Sequence, residues 1–174
     1  MPTARVIARI SLTIICGLLL AMWVYAFGFA SRESANRIND TAWQERAQAH
    51  CKTAEDQRFS MQDMSKMDPT DLNALKLKSD IVDRATTSLE TAINLIAADR
   101  PADAKGQALV PLWIADYRIY IQDRRDFAIK LRTVSKRPYF SESVIESVPI
   151  SEKIGKFARE NDMKTCQPPF DLSA

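Results

Sequence analysis

The stretch DPTDLNALKLKSDIVDRATTSLETAINLI, residues 68–96, carries the clearest structural pattern in this chain. Large apolar residues recur in it every seven positions, and alanines fill the alternate positions of the same seam. These residues are Leu75, Val82, Leu89 and Ile96, with Ala85 and Ala92. Because seven residues make almost two helical turns, this spacing places all six side chains on one face. It predicts a long amphipathic helix whose apolar face packs into a core.

Capping and turn residues mark both ends of this helix. Asp68 is expected to be its N-cap, Pro69 suits the first helical position, and Asp71 favours the positive end of the helix. At the other end, DRPADAKG (residues 99–106) stops the helix, because Pro101 cannot continue the hydrogen-bond ladder.

A second long helix is expected to begin or kink at Pro111 and to run to about Lys136. Its core-facing stripe alternates spacings of four and three residues, which is the helical period. The stripe comprises Trp113, Tyr117, Tyr120, Arg124, Phe127 and Leu131.

Two weaker helical segments complete the pattern. The first is expected from about Ser31 to Phe59, and its inward candidates are Ile38, Ala42, Trp43 and Ala49. The last is expected over residues 151–161 with Ser151 as its cap, and its inward candidates are Ile154, Phe157 and Ala158. Residues 137–149 between the last two helices are consistent with an irregular connection or a strand-like excursion.

An uncharged apolar segment precedes these helices: ISLTIICGLLLAMWVYAFGFA, residues 10–30. At about 1.5 Å of rise per residue it is long enough to cross a hydrocarbon core of roughly 30 Å. A buried core helix is disfavoured because no face of the segment is polar. A cleaved signal peptide is the alternative, but the apolar regions of signal peptides run only about 7–15 residues. We therefore expect a retained signal anchor that contacts the lipid bilayer through residues 10–30.

These observations predict the fold class and the domains. The fold is expected to be all-α: an N-terminal transmembrane helix followed by a small antiparallel helical bundle. Arg5 and Arg9 precede the span without an acidic residue, whereas Glu33 and Asp40 follow it. We therefore expect a cytoplasmic N-terminus (1–9), a transmembrane signal anchor (10–30) and an extracytoplasmic helical domain (31–174), in a single-pass protein of the cell membrane.

The charge balance argues against nucleic acid as a partner. The chain has 24 Lys and Arg and 22 Asp and Glu, and the excess of two corresponds to Arg5 and Arg9. Residues 31–174 are therefore formally neutral, whereas a nucleic-acid-binding domain needs a basic excess.

Two of the three cysteines lie beyond the span, Cys51 and Cys166. Outside the cytoplasm a disulfide persists, and a Cys51–Cys166 bond would tie an irregular, proline-containing tail to the first helix of the domain. The alternative is two unrelated buried thiols. A metal site is disfavoured because the chain has one histidine, His50, and no C-x-x-C pair.

The most unusual residue in the core-facing stripe is Arg124, which has Asp116 and Asp123 near it on the same helix. One interpretation is a partly buried ion pair, or an arginine stem lying along aromatic surface. The other is a polar site, formed with Tyr117 and Tyr120, that holds an anionic ligand or a carboxylate of a partner. No catalytic motif, phosphate loop or cofactor motif accompanies it, so we expect no cofactor and no enzymatic activity.

Two stretches resemble a family of small single-pass membrane proteins of actinobacteria. They are WIADYRIYIQDRRDFAIKL (Trp113–Leu131) and IGKFARENDMKTCQPPFD (Ile154–Asp171). Members of that family similarly join a W-x-x-D-aromatic-x-x-Y-x-x-D-R helix to an F-A-x-x-N-x-M-x-x-C-x-x-P tail. The resemblance implies an exported helical domain in a bacterial cell envelope, and it implies no particular activity.

The sequence thus favours a membrane-anchored, extracytoplasmic, non-enzymatic interaction protein. It would serve as an accessory subunit or assembly factor of an envelope complex and bind a membrane or envelope protein. The alternative is an extracytoplasmic helical module that binds a small ligand in a polar pocket around Arg124.

Overall fold

Helices account for nearly all of the regular structure. The computed structural model describes residues 2–29, 34–61 and 68–172. The helices are α1 (Pro2–Val24, continued by a π-helical turn at Tyr25–Phe29), α2 (Thr41–Ser60), α3 (Leu72–Ala98), α4 (Ala104–Thr133) and α5 (Ile150–Glu160), followed by a 3-10 turn at Lys164–Cys166. The strands in the described residues are β1 (Val144–Ile145) and β2 (Val148–Pro149), which form one antiparallel hairpin. The chain is therefore mostly helical, as expected.

The chain divides into two compact units, Met1–Ala35 and Asn36–Ala174. The first contains the apolar stretch Arg9–Phe29, which has a mean hydropathy of 2.2 and no buried residue. By length and composition it is a helix that could cross a membrane, which agrees with the segment expected over residues 10–30. Ala30 itself lies outside the described residues.

Helix α2 begins later than expected. The predicted start at Ser31 lies outside the described residues, and residues 34–40 are not helical. The helix begins at Thr41 because Asp40 caps it: one carboxylate oxygen accepts a hydrogen bond from the backbone N–H of Trp43, at 2.9 Å. The other oxygen accepts from the backbone N–H of Ala102, at 2.8 Å. The bonds from Ala102 and Trp43 lower the pKa of Asp40 below its ordinary value.

The inward face of α2 was predicted only in part. Ile38 and Trp43 are buried as expected, whereas Ala42 and Ala49 are exposed. The buried face is formed instead by Trp43, Gln44, Ala47, Cys51 and Ala54. Trp43 also donates its indole N–H to the backbone carbonyl of Asp99, which holds the start of α2 against the end of α3.

Helix α3 confirms the seven-residue seam, whose six members are all buried. The predicted N-cap of α3 was wrong by three residues. Asp71, rather than Asp68, accepts hydrogen bonds from the N–H groups of Asn73 and Ala74. Asp68 accepts from the N–H of Thr70 and closes the preceding turn. Asp68 therefore belongs to the turn before the helix, whose first residue is Leu72.

Helix α4 begins at Ala104, seven residues before the expected start at Pro111. Asp103 is its N-cap and accepts from the N–H of Gly106. Pro111 lies inside the helix on its exposed side, so the helix does not begin there, and a kink at Pro111 stays a prediction. The core-facing stripe of α4 is buried along its whole length, as predicted.

Helices α3 and α4 run antiparallel along each other. Ser79, early in α3, donates to the carbonyl of Ala128, late in α4. Further along α3, Glu90 accepts from Arg125. Higher residue numbers on α3 therefore pair with lower residue numbers on α4, so the two helices point in opposite directions.

Helix α5 begins at Ile150, and Ser151 is not its N-cap. The backbone N–H and hydroxyl of Ser151 both donate to the carboxylate of Glu142, at 2.8 and 2.9 Å, so a side chain from outside the helix satisfies one of the free N–H groups of its first turn. Ile154, Phe157 and Ala158 are buried as expected. Residues 137–149 were expected to be irregular or strand-like. The strand-like interpretation holds for the part that forms the short β1–β2 hairpin.

Gly106, near the start of α4, and Gly155, in the middle of α5, give a matched test of packing around helical glycines. A Cβ at Gly106 would lie 2.6 Å from the Asp103 carboxylate and 2.7 Å from the Pro101 ring, so we expect Gly106→Ala to lower the free energy of unfolding by about 1–3 kcal/mol. At Gly155 the nearest atom is the terminal nitrogen of Arg159, at 3.0 Å, which can move aside. We expect Gly155→Ala to be neutral or stabilising by up to about 1 kcal/mol, since alanine favours a helix interior. Denaturant unfolding of the full-length protein in detergent micelles, followed by tryptophan fluorescence, measures both, and equal effects would contradict this packing.

Candidate functional site

The candidate site is built around the tail, which we define as residues 161–172. A disulfide joins Cys166 of the tail to Cys51 of α2, with an S–S distance of 1.97 Å and a Cα–Cα distance of 5.1 Å. Both cysteines are buried. The predicted Cys51–Cys166 bond is thus confirmed, and it links positions 115 residues apart.

Two tyrosines of α4 bind the backbone of the tail. The Tyr117 hydroxyl donates to the carbonyl of Cys166 at 2.6 Å, and the Tyr120 hydroxyl donates to the carbonyl of Pro169 at 2.9 Å. Burial raises the pKa of both tyrosines, so their hydroxyls stay protonated and act as donors. These bonds hold a segment whose prolines cannot donate backbone hydrogen bonds of their own.

Arg124 binds the end of the tail. Its side chain is fully buried, and its two terminal nitrogens donate to the two carboxylate oxygens of Asp171, at 2.7 and 2.9 Å. Its Nε donates to the hydroxyl of Thr86 on α3, at 3.0 Å. The paired arrangement is the bidentate geometry in which an arginine–carboxylate pair is strongest.

Pairing keeps Arg124 and Asp171 in their charged forms despite their burial. Burial alone raises the pKa of the Asp171 carboxyl. The hydrogen bonds and positive charge of Arg124 lower that pKa by a larger amount, so it lies below its ordinary value. Burial alone lowers the pKa of Arg124, and Asp171 reverses that effect. Both groups are therefore charged at neutral pH.

The other two residues of the predicted polar site face different partners. The carboxylate of Asp123 accepts from the backbone N–H and hydroxyl of Ser143, at 2.7 and 2.8 Å. Asp116 pairs with Lys153 of α5, at 3.5 Å. The structure thus brings Arg124, Tyr117 and Tyr120 to the tail, and directs Asp116 and Asp123 to the segments around α5. An external ligand at Arg124 stays a prediction, and in this structure the guanidinium has an internal carboxylate.

Asn161 is a further polar anchor that sequence reasoning missed. It is fully buried, and its side-chain oxygen accepts from the N–H of Ile38 at 2.8 Å and from Gln44 at 3.2 Å. Its side-chain nitrogen donates to the carbonyls of Phe157 and Asn36. An asparagine at the end of a predicted helix was the available signal. The bonds to residues 36–38 depend on tertiary packing that no local pattern reveals.

No group of three or more His, Cys, Asp or Glu side chains arranged to hold a metal ion occurs in residues 2–29, 34–61 and 68–172. The polar chemistry described in this part of the chain is ion pairing and hydrogen bonding. No protein-family model matches the chain, and comparison with curated proteins and with solved structures likewise gave no match.

Replacing Asn161 should weaken the unit that begins at residue 36. We expect Asn161→Ala to lower the free energy of unfolding by about 2 kcal/mol, because the buried N–H of Ile38 loses its acceptor. Asn94→Ala is the control, since Asn94 is exposed on α3, and it should change stability by less than about 0.5 kcal/mol. Denaturant unfolding of both variants measures the difference, and equal stabilities would contradict the role assigned to Asn161.

The Arg124–Asp171 pair should make stability depend on acid. A carboxyl whose pKa is lowered in the folded state contributes stability above its unfolded pKa of about 3.9, and the contribution is lost as the pH falls through the folded pKa. We expect the difference in unfolding free energy between wild type and Asp171→Asn to be constant above about pH 5 and to shrink below it. Denaturant titrations from pH 7 to pH 2 measure this difference, and one that stays constant down to pH 2 would contradict the coupling.

Proposed function

We propose that the chain is a membrane-anchored, extracytoplasmic interaction protein that acts without enzymatic activity. It would be an accessory subunit or assembly factor of a cell-envelope complex. The exposed apolar helix over Arg9–Phe29 supports an anchor in the bilayer. The Cys51–Cys166 disulfide supports an oxidising compartment for the unit that begins at residue 36.

The proposal rests mainly on the hydrogen bonds that Arg124, Tyr117 and Tyr120 make. These residues were the strongest candidates for ligand binding, and each of them binds the tail of the same chain. Their role is therefore to hold a half-buried segment in one conformation. A segment fixed by a disulfide, two tyrosines and a buried ion pair is suited to present a rigid surface to a partner.

The proposal includes a topology and an architecture. The N-terminus would lie in the cytoplasm and the unit from residue 36 outside it, and α2 to α5 would form a small antiparallel bundle around the shared core. The resemblance of Trp113–Leu131 and Ile154–Asp171 to a family of small single-pass actinobacterial membrane proteins supports the same location. Protease added to intact spheroplasts should digest the unit from residue 36, and protection of that unit would reverse the topology.

The function is tested by purifying the tagged full-length protein from native membranes in mild detergent and identifying co-purifying proteins by mass spectrometry. We expect one envelope or membrane protein in stoichiometric amount. The control carries the same tag and residues 1–35, with a soluble reporter in place of the rest, and should not recover that protein. Recovery of the full-length chain alone, under several mild detergents, would contradict an accessory-subunit role.

A further inference from the structure

A pocket of about 320 Å³ lies between the end of α3 and the first half of α4. We call it the corner pocket. Six of its ten lining residues are apolar, and the polar ones are Asp99, Arg100, Gln107 and Arg118. Gln107 joins its two sides by donating a side-chain N–H to the carbonyl of Pro101, at 3.0 Å. A concave, mostly apolar pocket with a few polar groups is the usual form of a ligand site.

The two arginines of the corner pocket have no internal partner. Arg100 and Arg118 are exposed, and neither makes a hydrogen bond or an ion pair with any residue that the structure describes. The other three arginines of α4 all bind carboxylates of α3 or of the tail: Arg124, Arg125 and Arg132. Both guanidiniums of the pocket are therefore available to a ligand.

The charge of the lining favours an anionic ligand. Asp99 is the single acidic residue among the ten that line the pocket, and both of its carboxylate oxygens accept hydrogen bonds from Arg46 of α2, at 2.7 and 3.1 Å. Two aspartates beside the same loop, Asp40 and Asp103, lie outside the lining and cap α2 and α4. The positive charge of the two guanidiniums is thus left for an anion from outside the chain to balance.

The corner pocket lies at the end of its unit where the first residues of that unit pack. The unit begins at residue 36, and Asp40 accepts from the backbone N–H of Ala102, the neighbour of the lining residue Pro101. These first residues follow the apolar helix along the chain. A bilayer that holds this helix supplies phospholipid at a high effective concentration, an advantage that a soluble anion lacks.

We infer that the corner pocket binds the phosphate headgroup of an anionic phospholipid. Arg100 and Arg118 donate hydrogen bonds to the phosphate oxygens, and the apolar lining around Pro111 and Ile114 contacts the glycerol and the start of the acyl chains. Arginine suits this ligand because its planar guanidinium can donate two parallel hydrogen bonds to a phosphate. The inference goes beyond the proposed interaction role, and it rests on the membrane anchor that the proposed function includes.

Native mass spectrometry of the full-length protein in mild detergent, titrated with lipid, tests this inference. We expect the wild type to bind phosphatidylglycerol at least about tenfold more tightly than phosphatidylcholine with the same acyl chains, because only the former has a net negative charge. The double variant Arg100→Gln with Arg118→Gln should lose this preference. Equal binding of the two lipids by the wild type, or an unchanged preference in the double variant, would overturn the inference.

A second double variant controls for the loss of two positive charges. Lys76→Gln with Arg84→Gln replaces two exposed basic residues of α3 that lie outside the corner pocket, and it should keep the wild-type preference. Both double variants should unfold with the wild-type free energy, since all four residues are exposed. Lipid bound along the apolar helix is common to all three proteins, so it does not affect the comparison. An equal loss of preference in the two double variants would overturn the assignment to the pocket.

Glycerol phosphate distinguishes a lipid from a soluble phosphate. It carries the phosphate group without acyl chains, so we expect an equimolar amount to leave phosphatidylglycerol bound. If it displaces the lipid from the wild type, the corner pocket is a site for soluble phosphate esters, and the lipid inference is overturned.

The lipid titration and the purification from native membranes fail separately. Recovery of a stoichiometric partner by a protein that binds both lipids equally would overturn the lipid inference and leave the interaction role standing. A preference for phosphatidylglycerol that depends on Arg100 and Arg118, in a protein that recovers no partner, would overturn the accessory-subunit role and support the lipid site.

Discussion

Asp171→Asn should lower the free energy of unfolding by about 3–5 kcal/mol, which is among the largest effects expected for a single residue in this chain. The substitution keeps the size of the side chain and removes its charge. Arg124, which is fully buried, would then hold an uncompensated positive charge in the core. Removing one partner of a buried ion pair is costly because the remaining charge has lost both water and counterion. Denaturant unfolding of the full-length protein at pH 7 measures the loss.

Two further variants distinguish the buried pair from a general effect of charge on the tail. Asp162→Asn removes a tail carboxylate whose pair with Arg37 is exposed, and it should change stability by at most about 1 kcal/mol. The double variant Arg124→Met with Asp171→Leu removes both charges together and should recover most of the stability lost in Asp171→Asn. A loss below about 1 kcal/mol in Asp171→Asn would contradict the arrangement of the pair.

Patterns that depend on local periodicity were predictable from the sequence. The seam from Leu75 to Ile96 and the stripe from Trp113 to Leu131 are buried as expected, because burial on one face of a helix repeats with the helical period. The disulfide was also predictable, because Cys51 and Cys166 are the only two cysteines beyond the apolar segment.

Helix starts that depend on distant partners were not predictable. Asp40 caps α2 and also binds the N–H of Ala102, which lies 62 residues away along the chain. Its second bond exists only after α3 and α4 have packed, so the sequence near residue 40 gives no sign of it. Pro111 likewise suggests a helix start when only its neighbours are considered. It lies instead inside α4 on an exposed side, because the helix already starts at the Asp103 cap.

The partner of Arg124 shows the same limit. The sequence suggested Asp116 and Asp123 because they lie on the same helix. Adjacent residues of a helix point about 100° apart, so Asp123 cannot turn toward the guanidinium, and it binds Ser143 instead. The true partner, Asp171, lies 47 residues further along the chain and reaches Arg124 because the disulfide and Tyr120 place the tail beside α4. The disulfide, the Tyr120 hydrogen bond and the Arg124–Asp171 pair therefore all hold the same segment.

Removing the disulfide should produce a loss of similar size through a different mechanism. The bond closes a loop of 115 residues, and the chain-entropy model gives about 5 kcal/mol for such a loop, within a usual range of about 2–5 kcal/mol for native disulfides. We therefore expect Cys51→Ala with Cys166→Ala to lower the free energy of unfolding by about 2–5 kcal/mol, measured by denaturant unfolding. Cys16→Ala is the control, because Cys16 is a free, exposed cysteine in the other unit, and it should leave this value unchanged.

Asp171→Asn and the double cysteine variant should differ in how firmly the tail is held in the folded protein. The disulfide acts mainly on the unfolded chain, so in the double cysteine variant Tyr117, Tyr120 and Arg124 should still hold the tail in the native state. In Asp171→Asn the pair itself is broken, so the end of the tail should exchange its backbone amides faster than in wild type. Hydrogen exchange of residues 167–172 under native conditions measures this contrast. Faster exchange in the double cysteine variant than in Asp171→Asn would show that the disulfide, rather than the buried ion pair, holds the tail against α4.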